Sequence, residues 1–165
     1  MMSPNALIAY AALGSNMGDS KTLVCRAIEA LAALEEVFAL KASPLYRTSP
    51  VGPLPQNSFI NGVVSFKTTL SCLKLFENIQ RIERKLGKKE KPKWAPRLLD
   101  IDLLFFGDQA CHLPSLTLPH PRWKERLFVL QPLSDLASTV SVEGKTYDVK
   151  ELINQIKTKE KVQRL

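Results

Sequence analysis

Apolar positions along the chain repeat with two periods, and each period predicts an element. Leu7 to Leu13 is an apolar run followed by Gly14-Ser15-Asn16, which reads as a buried strand closed by a tight turn. Asp19 or Ser20 can then cap a helix in which Val24, Ala27, Ile28, Leu31 and Leu34 keep helical spacing. Val37 to Arg47 reads as a second strand, and three prolines with a glycine make residues 48–58 a loop. Phe59 to Lys67 alternates as a strand, with Phe59, Asn61, Val63 and Ser65 on one face. Ser71 to Leu86 carries the clearest helical pattern, Cys72, Leu75, Phe76, Ile79, Ile82 and Leu86 facing inward and Gly87 stopping it.

A basic loop, KKEKPKWAP, precedes a strong strand, RLLDIDLLFFG, that ends at Gly107. Leu116 to Pro121 reads as extended, and Trp123 to Ala137 as helical with Pro132 bending or ending it. Asp148 with Glu151 forms a capping box for a last helix over 149–157. The order β-α-β-β-α-β through residue 106 predicts an α+β fold, a ferredoxin-like sandwich with a mostly antiparallel sheet and flanking helices. No repeat or second composition regime interrupts the chain, so residues 1–165 are expected to form a single domain.

Composition narrows the setting. With 45% hydrophobic and 24% charged positions in 165 residues, a globular chain with a real core is expected. The apolar stretches are too short to cross a bilayer, and no basic segment precedes the first of them, so a cytoplasmic protein without a membrane partner is expected. Cys25, Cys72 and Cys111 are far apart in sequence and odd in number, which argues against a disulfide framework or a zinc site.

Charge changes the picture more. The formal net charge is +7, and residues 81–97 hold eight Lys and Arg against Glu83 and Glu90. Such a concentrated patch suits phosphates, of a nucleotide or a nucleic acid, or an anionic lipid surface. Asp100 and Asp102 stand two apart in the strand after that patch, so both carboxylates leave the same face. Two carboxylates in an apolar run need compensation, either from an arginine such as Arg97 or from a divalent cation held against phosphates. Carboxylates for metal beside cations for phosphate suit phosphoryl transfer. Phe59 and Asn61 on one strand face could hold a flat heterocycle between an aromatic plane and an amide. Gln80, Glu83 and Arg84 read by themselves as an ordinary solvated helix flank. Neither a P-loop nor a dinucleotide-binding GxGxxG is present.

The set ALGSN at 12–16, YRTSPVGP at 46–53, FING at 59–62, QRIE at 80–83, WAPRLLDIDLLFFG at 94–107 and LTLPH at 116–120 resembles one family, 6-hydroxymethyl-7,8-dihydropterin pyrophosphokinase of folate biosynthesis. The similarity runs from residue 6 to about 137, and PRxLDxDxxxFG is its most specific part. The resemblance implies an ATP-dependent pyrophosphokinase that passes pyrophosphate to the pterin hydroxymethyl group and releases AMP. It implies two Mg²⁺ ions on Asp100 and Asp102, with ATP as co-substrate, and Arg97, Lys88 and Lys93 assisting catalysis. Phe59 and Phe128 would sandwich the pterin, with Asn61, Thr48 and Val51 reading its polar edge and Trp94 closing over it. Gln80, Glu83, Leu103, Thr117, His120 and Arg126 would serve the ATP site. Lys88 to Lys93 and Trp94 match a closing lid, in which lysines stand where arginines are common and Ala95 where glycine is usual.

A ferredoxin-like module binding RNA through the basic loop is the main competitor, but the sheet lacks an aromatic RNP pattern and the acidic pair would repel a backbone. A polymerase-β-like nucleotidyltransferase would place its acidic pair soon after the GS turn, which this chain does not do. The expected partners are therefore ATP and the pterin alone, with no nucleic acid, acting on a monomer. The chain beyond residue 140 carries no motif.

Overall fold

The computed structural model describes residues 5–88 and 98–165. Strand β1 (Leu7–Ser15) lies between β4 (Phe59–Thr68) and β5 (Asp100–Phe106), antiparallel to both. β2 (Val37–Ala42) and β3 (Tyr46–Thr48) pair in succession along the far side of β4, and β10 (Val162–Arg164) adds to β3 at the sheet edge. This is the α+β arrangement with a mostly antiparallel sheet that the pattern predicts.

Each face of the sheet has its own core. Helices α1 (Ser20–Ala32) and α2 (Cys72–Lys85) cover the first, where Val24, Ala27, Leu31, Leu75 and Ile79 meet Ala9, Ala11, Leu13, Val64 and Phe66. Removing such side chains from water supplies most of the stabilisation, roughly 1.5–3 kcal/mol for a large aliphatic or aromatic one. The second face is covered by α3 (Leu127–Ser134), α4 (Val149–Gln155) and the hairpin β8 (Thr139–Val142)–β9 (Lys145–Asp148). There Tyr10, Phe105, Trp123 and Tyr147 stack edge to face in a row, with centroids 5.7, 4.9 and 5.4 Å apart.

Helix starts follow the sequence closely. Asp19 caps α1 through the Thr22 N–H at 3.2 Å, Ser71 caps α2 through Lys74 N–H at 3.2 Å, and Asp148 caps α4 through Glu151 N–H at 2.9 Å. Gly87 ends α2 at φ +100°, a backbone conformation that a side chain would strain.

Two readings need correction. The stretch Val37 to Arg47 is two strands, because Pro44 has no N–H to donate and the Ser43 side chain takes the ladder bond of Val63 N–H at 3.0 Å. Trp123 to Ala137 is a 3-10 turn at Trp123–Glu125 followed by α3, and Pro132 sits buried inside that helix without ending it. Cys72 and Cys111, distant in sequence, stand side by side as free thiols, one on α2 and one on the hairpin β6 (Cys111–Leu113)–β7 (Leu116–Leu118).

Candidate active site

One cleft of roughly 280 Å³ opens on the second face of the sheet, beside the 3-10 turn and the start of α3. Its floor follows from strand register. Gly14 pairs with Asn61 on one side and Asp100 on the other, and Ala12 pairs with Asp102. Alternation along β5 sends Ile101 and Leu103 into the helix-side core and leaves Asp100 and Asp102 in the cleft.

The carboxylate end is electrically loaded. Asp100 and Asp102 keep 31% and 51% of their side chains accessible, so ligands can reach both. Protein walls around the rest of Asp102, followed by the Asp100 charge, push its pKa up to about 6, and Arg126, 3.9 Å away, offsets this only partly. Asp100 Oδ1 meets Lys88 Nζ at 2.7 Å, and the same ammonium lies 2.7 Å from Glu83 Oε2.

Glu83 is not the solvated residue its helix position suggests. Only 6% of it is exposed, and its Oε2 also accepts the Ile101 N–H at 2.8 Å. Burial raises its pKa despite these bonds, whereas at Lys88 the two carboxylates outweigh burial and raise the ammonium's pKa, keeping it charged. Glu83 thus ties α2 to the start of β5, between the two aspartates.

The other end is aromatic and amide-lined. Phe59, Phe128, Val51, Ser49 and Thr48 line it, with Asn61 at its floor. Asn61 is 6% exposed and donates through Nδ2 to Thr48 Oγ1, which fixes the amide plane. The Arg126 guanidinium rides over the Phe128 ring, 5.5 Å from its centroid, and so links the two ends.

The GSN segment is no simple turn. Gly14 and Ser15 belong to β1, and a Cβ on Gly14 would stand 2.4 Å from Asn61 Oδ1. Glycine here is the space the amide occupies. Ser15 Oγ bonds Ser20 Oγ at 3.0 Å across the entry to α1. Asn16, buried, donates to Gln56 Oε1 at 2.9 Å and to the Asn57 carbonyl at 3.2 Å, holding the proline-rich loop against the cleft.

Of the expected ATP residues, Arg126 lines the cleft, whereas the side chains of Gln80, Glu83, Leu103, Thr117 and His120 do not. Leu103 is 3% exposed and points to the helix-side core. His120 braces the turn beside β5, its N–H on the Leu104 carbonyl at 2.9 Å and its Nδ1 accepting Arg122 N–H at 3.1 Å. Burial, then the charges of Arg126 and Arg122, lower its pKa to about 4, so it is neutral at neutral pH. Lys93, Trp94 and Arg97 lie outside the described residues. Sequence reasoning missed Gly14, Gln56 and Glu160, all on the cleft wall. A motif glycine in register with a motif asparagine was the one available signal.

Two carboxylates with accessible oxygens and a surplus of negative charge suit a hard divalent cation. Among the described residues no third His, Cys, Asp or Glu joins them as a cluster, so further ligands would come from phosphate or water.

A family model described as 7,8-dihydro-6-hydroxymethylpterin-pyrophosphokinase matches residues 10–138. The 2-amino-4-hydroxy-6-hydroxymethyldihydropteridine pyrophosphokinase of Bacillus subtilis (strain 168) is 42% identical over 137 residues, covering 83% of this chain and 82% of its own. The protein of the same name from Haemophilus influenzae is 34% identical over 149 residues, covering 90% and 92%. Among solved structures, wild-type HPPK-DHPS of Plasmodium falciparum with pteroate shares the fold at a TM-score of 0.70 and 17% identity, over 94% of this chain and 43% of that larger one. By sequence, the chain belongs to the 7,8-dihydro-6-hydroxymethylpterin-pyrophosphokinase family.

Proposed function

We propose that the cleft transfers pyrophosphate from ATP to the hydroxymethyl group of 6-hydroxymethyl-7,8-dihydropterin, the reaction of its family in folate biosynthesis. The observation that carries the reading is the polarity of one cleft, with Asp100 and Asp102 at one end and Phe59, Asn61, Thr48 and Phe128 at the other. The pterin oxygen attacks the β-phosphorus, the bond from that phosphorus to the α-phosphate oxygen breaks, and AMP leaves. The hydroxyl proton passes to solvent or phosphate.

Asp100 and Asp102 would hold two Mg²⁺ ions, which when bound neutralise triphosphate charge and polarise the transferred group. The flat pterin lies between Phe59 and Phe128, with its polar edge on Asn61 and on the backbone at Thr48 and Val51. Arg126 reaches the phosphates from beside the Phe128 ring. Lys88 is held beside the carboxylate end by Asp100 and Glu83, where its ammonium would be within reach of phosphate oxygens. Lys93, Arg97 and Trp94, outside the described residues, would assist as in the family, the two cations at the phosphates and Trp94 at the pterin. Gln80, Thr117, His120 and the backbone of Leu103, which lie outside the cleft wall, would meet the nucleotide where it extends beyond the cleft, and Glu83 would serve it by holding β5. Little acid–base chemistry is needed, because positioning and charge do most of the work in phosphoryl transfer.

We also infer that residues 1–165 work as a single domain and as a cytoplasmic monomer without nucleic-acid or membrane partners. Among the described residues no helix is long and apolar enough to cross a membrane. The test is incubation with ATP, Mg²⁺ and the hydroxymethylpterin, followed by separation of nucleotides. AMP that appears only with pterin and Mg²⁺ is expected. ADP in its place, or no nucleotide product, would overturn the reading.

A further inference from the structure

The carboxy-terminal segment beyond the family match carries no motif, yet it reaches the cleft. Helix α3 starts without a cap of its own, because Arg126 stands at the capping position and its side chain accepts nothing. The open N–H of Phe128 instead donates to Glu160 Oε2 at 3.3 Å, from 32 residues further along the chain. A carboxylate at this place both satisfies a first-turn donor and meets the positive end of the helix.

Glu160 is itself fastened. Its own N–H donates to Thr158 Oγ1 at 3.1 Å. The next residue, Lys161, exchanges two bonds of 2.9 Å with Ser49, one through each backbone polar group. Val162 then pairs with Thr48 and Gln163 with Arg47. The same three-residue strand β3 therefore carries Thr48, the partner of Asn61, and anchors the segment that holds Phe128.

We propose that Glu160 is a positioning residue for the aromatic wall of the pterin pocket, and that residues 158–164 form a strap belonging to the substrate site. The proposal rests on the pyrophosphokinase reading. Glu160 does not need to touch the pterin. It fixes the first turn of α3, and with it the height of the Phe128 ring and of the Arg126 guanidinium that lies over that ring and faces Asp102. The strap also holds Ser49 and Thr48, so the Phe128 wall and the polar edge at Thr48 both depend on it.

The experiment measures pterin KM, kcat and pterin binding by fluorescence titration for the wild type, Glu160→Ala, Glu160→Gln, Phe128→Ala and the double variant Glu160→Ala/Phe128→Ala. Loss of the cap is expected to raise the pterin KM about tenfold, with kcat changing less than about threefold. Glu160→Gln keeps an acceptor for Phe128 N–H and should recover most of that loss. Because Glu160 acts through Phe128, the double variant should be little worse than Phe128→Ala alone. Ser49→Ala, which removes one fastening of the strap, should move KM in the same direction by a smaller factor. An unchanged pterin KM in Glu160→Ala, or effects of Glu160→Ala and Phe128→Ala that multiply, would overturn the proposal while leaving the enzyme reading intact. A wild type that neither binds pterin nor forms AMP would overturn both.

Discussion

The two ends of the cleft are built on opposite principles. At the pterin end the polar side chains pair within the protein. Asn61 rests on Thr48 in the space left by Gly14, Asn16 on Gln56 and Asn57, and Phe128 N–H on Glu160. At the phosphate end Asp100 and Asp102 repel each other, and the compensating cations, Lys88 and Arg126, come from neighbouring segments. A mutually satisfied site is shaped before its ligand arrives. A site with surplus charge gains most when counter-charge is brought to it, so the ATP–cation end should be completed by its ligands.

Removing one carboxylate attacks the contrast most directly. Asp102→Ala is expected to lower kcat by about 10³-fold or more and to leave pterin affinity within about threefold. Steady-state kinetics beside pterin titration checks both. A comparable loss of pterin affinity would mean that the ends are not separable.

Gly14→Ala tests the opposite end without touching a proposed ligand contact. Its Cβ would collide with Asn61 Oδ1, and the amide must swing off Thr48. The pterin KM should rise by about 10- to 100-fold, the scale of a lost buried hydrogen bond plus displacement, while Mg²⁺ binding holds. Unchanged pterin KM would show that the amide has room the register denies it.

Proton linkage sharpens the comparison further. Asp102 titrates at about 6, so a cation arriving below that pH must displace a proton, and one arriving at pH 8 need not. Mg²⁺ affinity should fall by up to about tenfold per pH unit below 6, with proton release seen by calorimetry in two buffers. Pterin binding should lack this dependence. Constant Mg²⁺ affinity from pH 5 to 8 would refute the strained pair.

The smallest effect is on stability. The folded pKa of Asp102 lies above its unfolded value near 3.8, so the folded state holds the extra proton and loses stability as pH rises from about 4 to 6. Asp102→Asn should therefore melt at a higher temperature than the wild type at pH 7 without metal, and gain nothing below pH 4. Thermal scans at the two pH values decide it.

What could be read before the structure was what lies close along the chain. A cap at Asp19 or Ser20, the cap at Asp148, the stop at Gly87 and the shared face of Asp100 and Asp102 all follow from spacings of four residues or fewer. The motifs named the family because they are long and ordered. The remainder depends on partners remote in sequence. Glu83 reads as solvated until β5 is laid over it, 18 residues on. Gly14 reads as a turn until Asn61 is set opposite, and Glu160 has no pattern at all because its role is to meet one N–H of a distant helix.

Strand β10 has one more consequence. β3 is short and, without β10, would present its backbone donors and acceptors along an open border of the sheet. Such borders are templates on which a second chain can add itself, and proteins guard them by covering them or keeping them short. Residues 162–164 occupy that border in register with Tyr46, Arg47 and Thr48. Detaching this segment would thus do more than loosen a ligand pocket: it would bare a seam through which copies of the chain could zip together into aggregates.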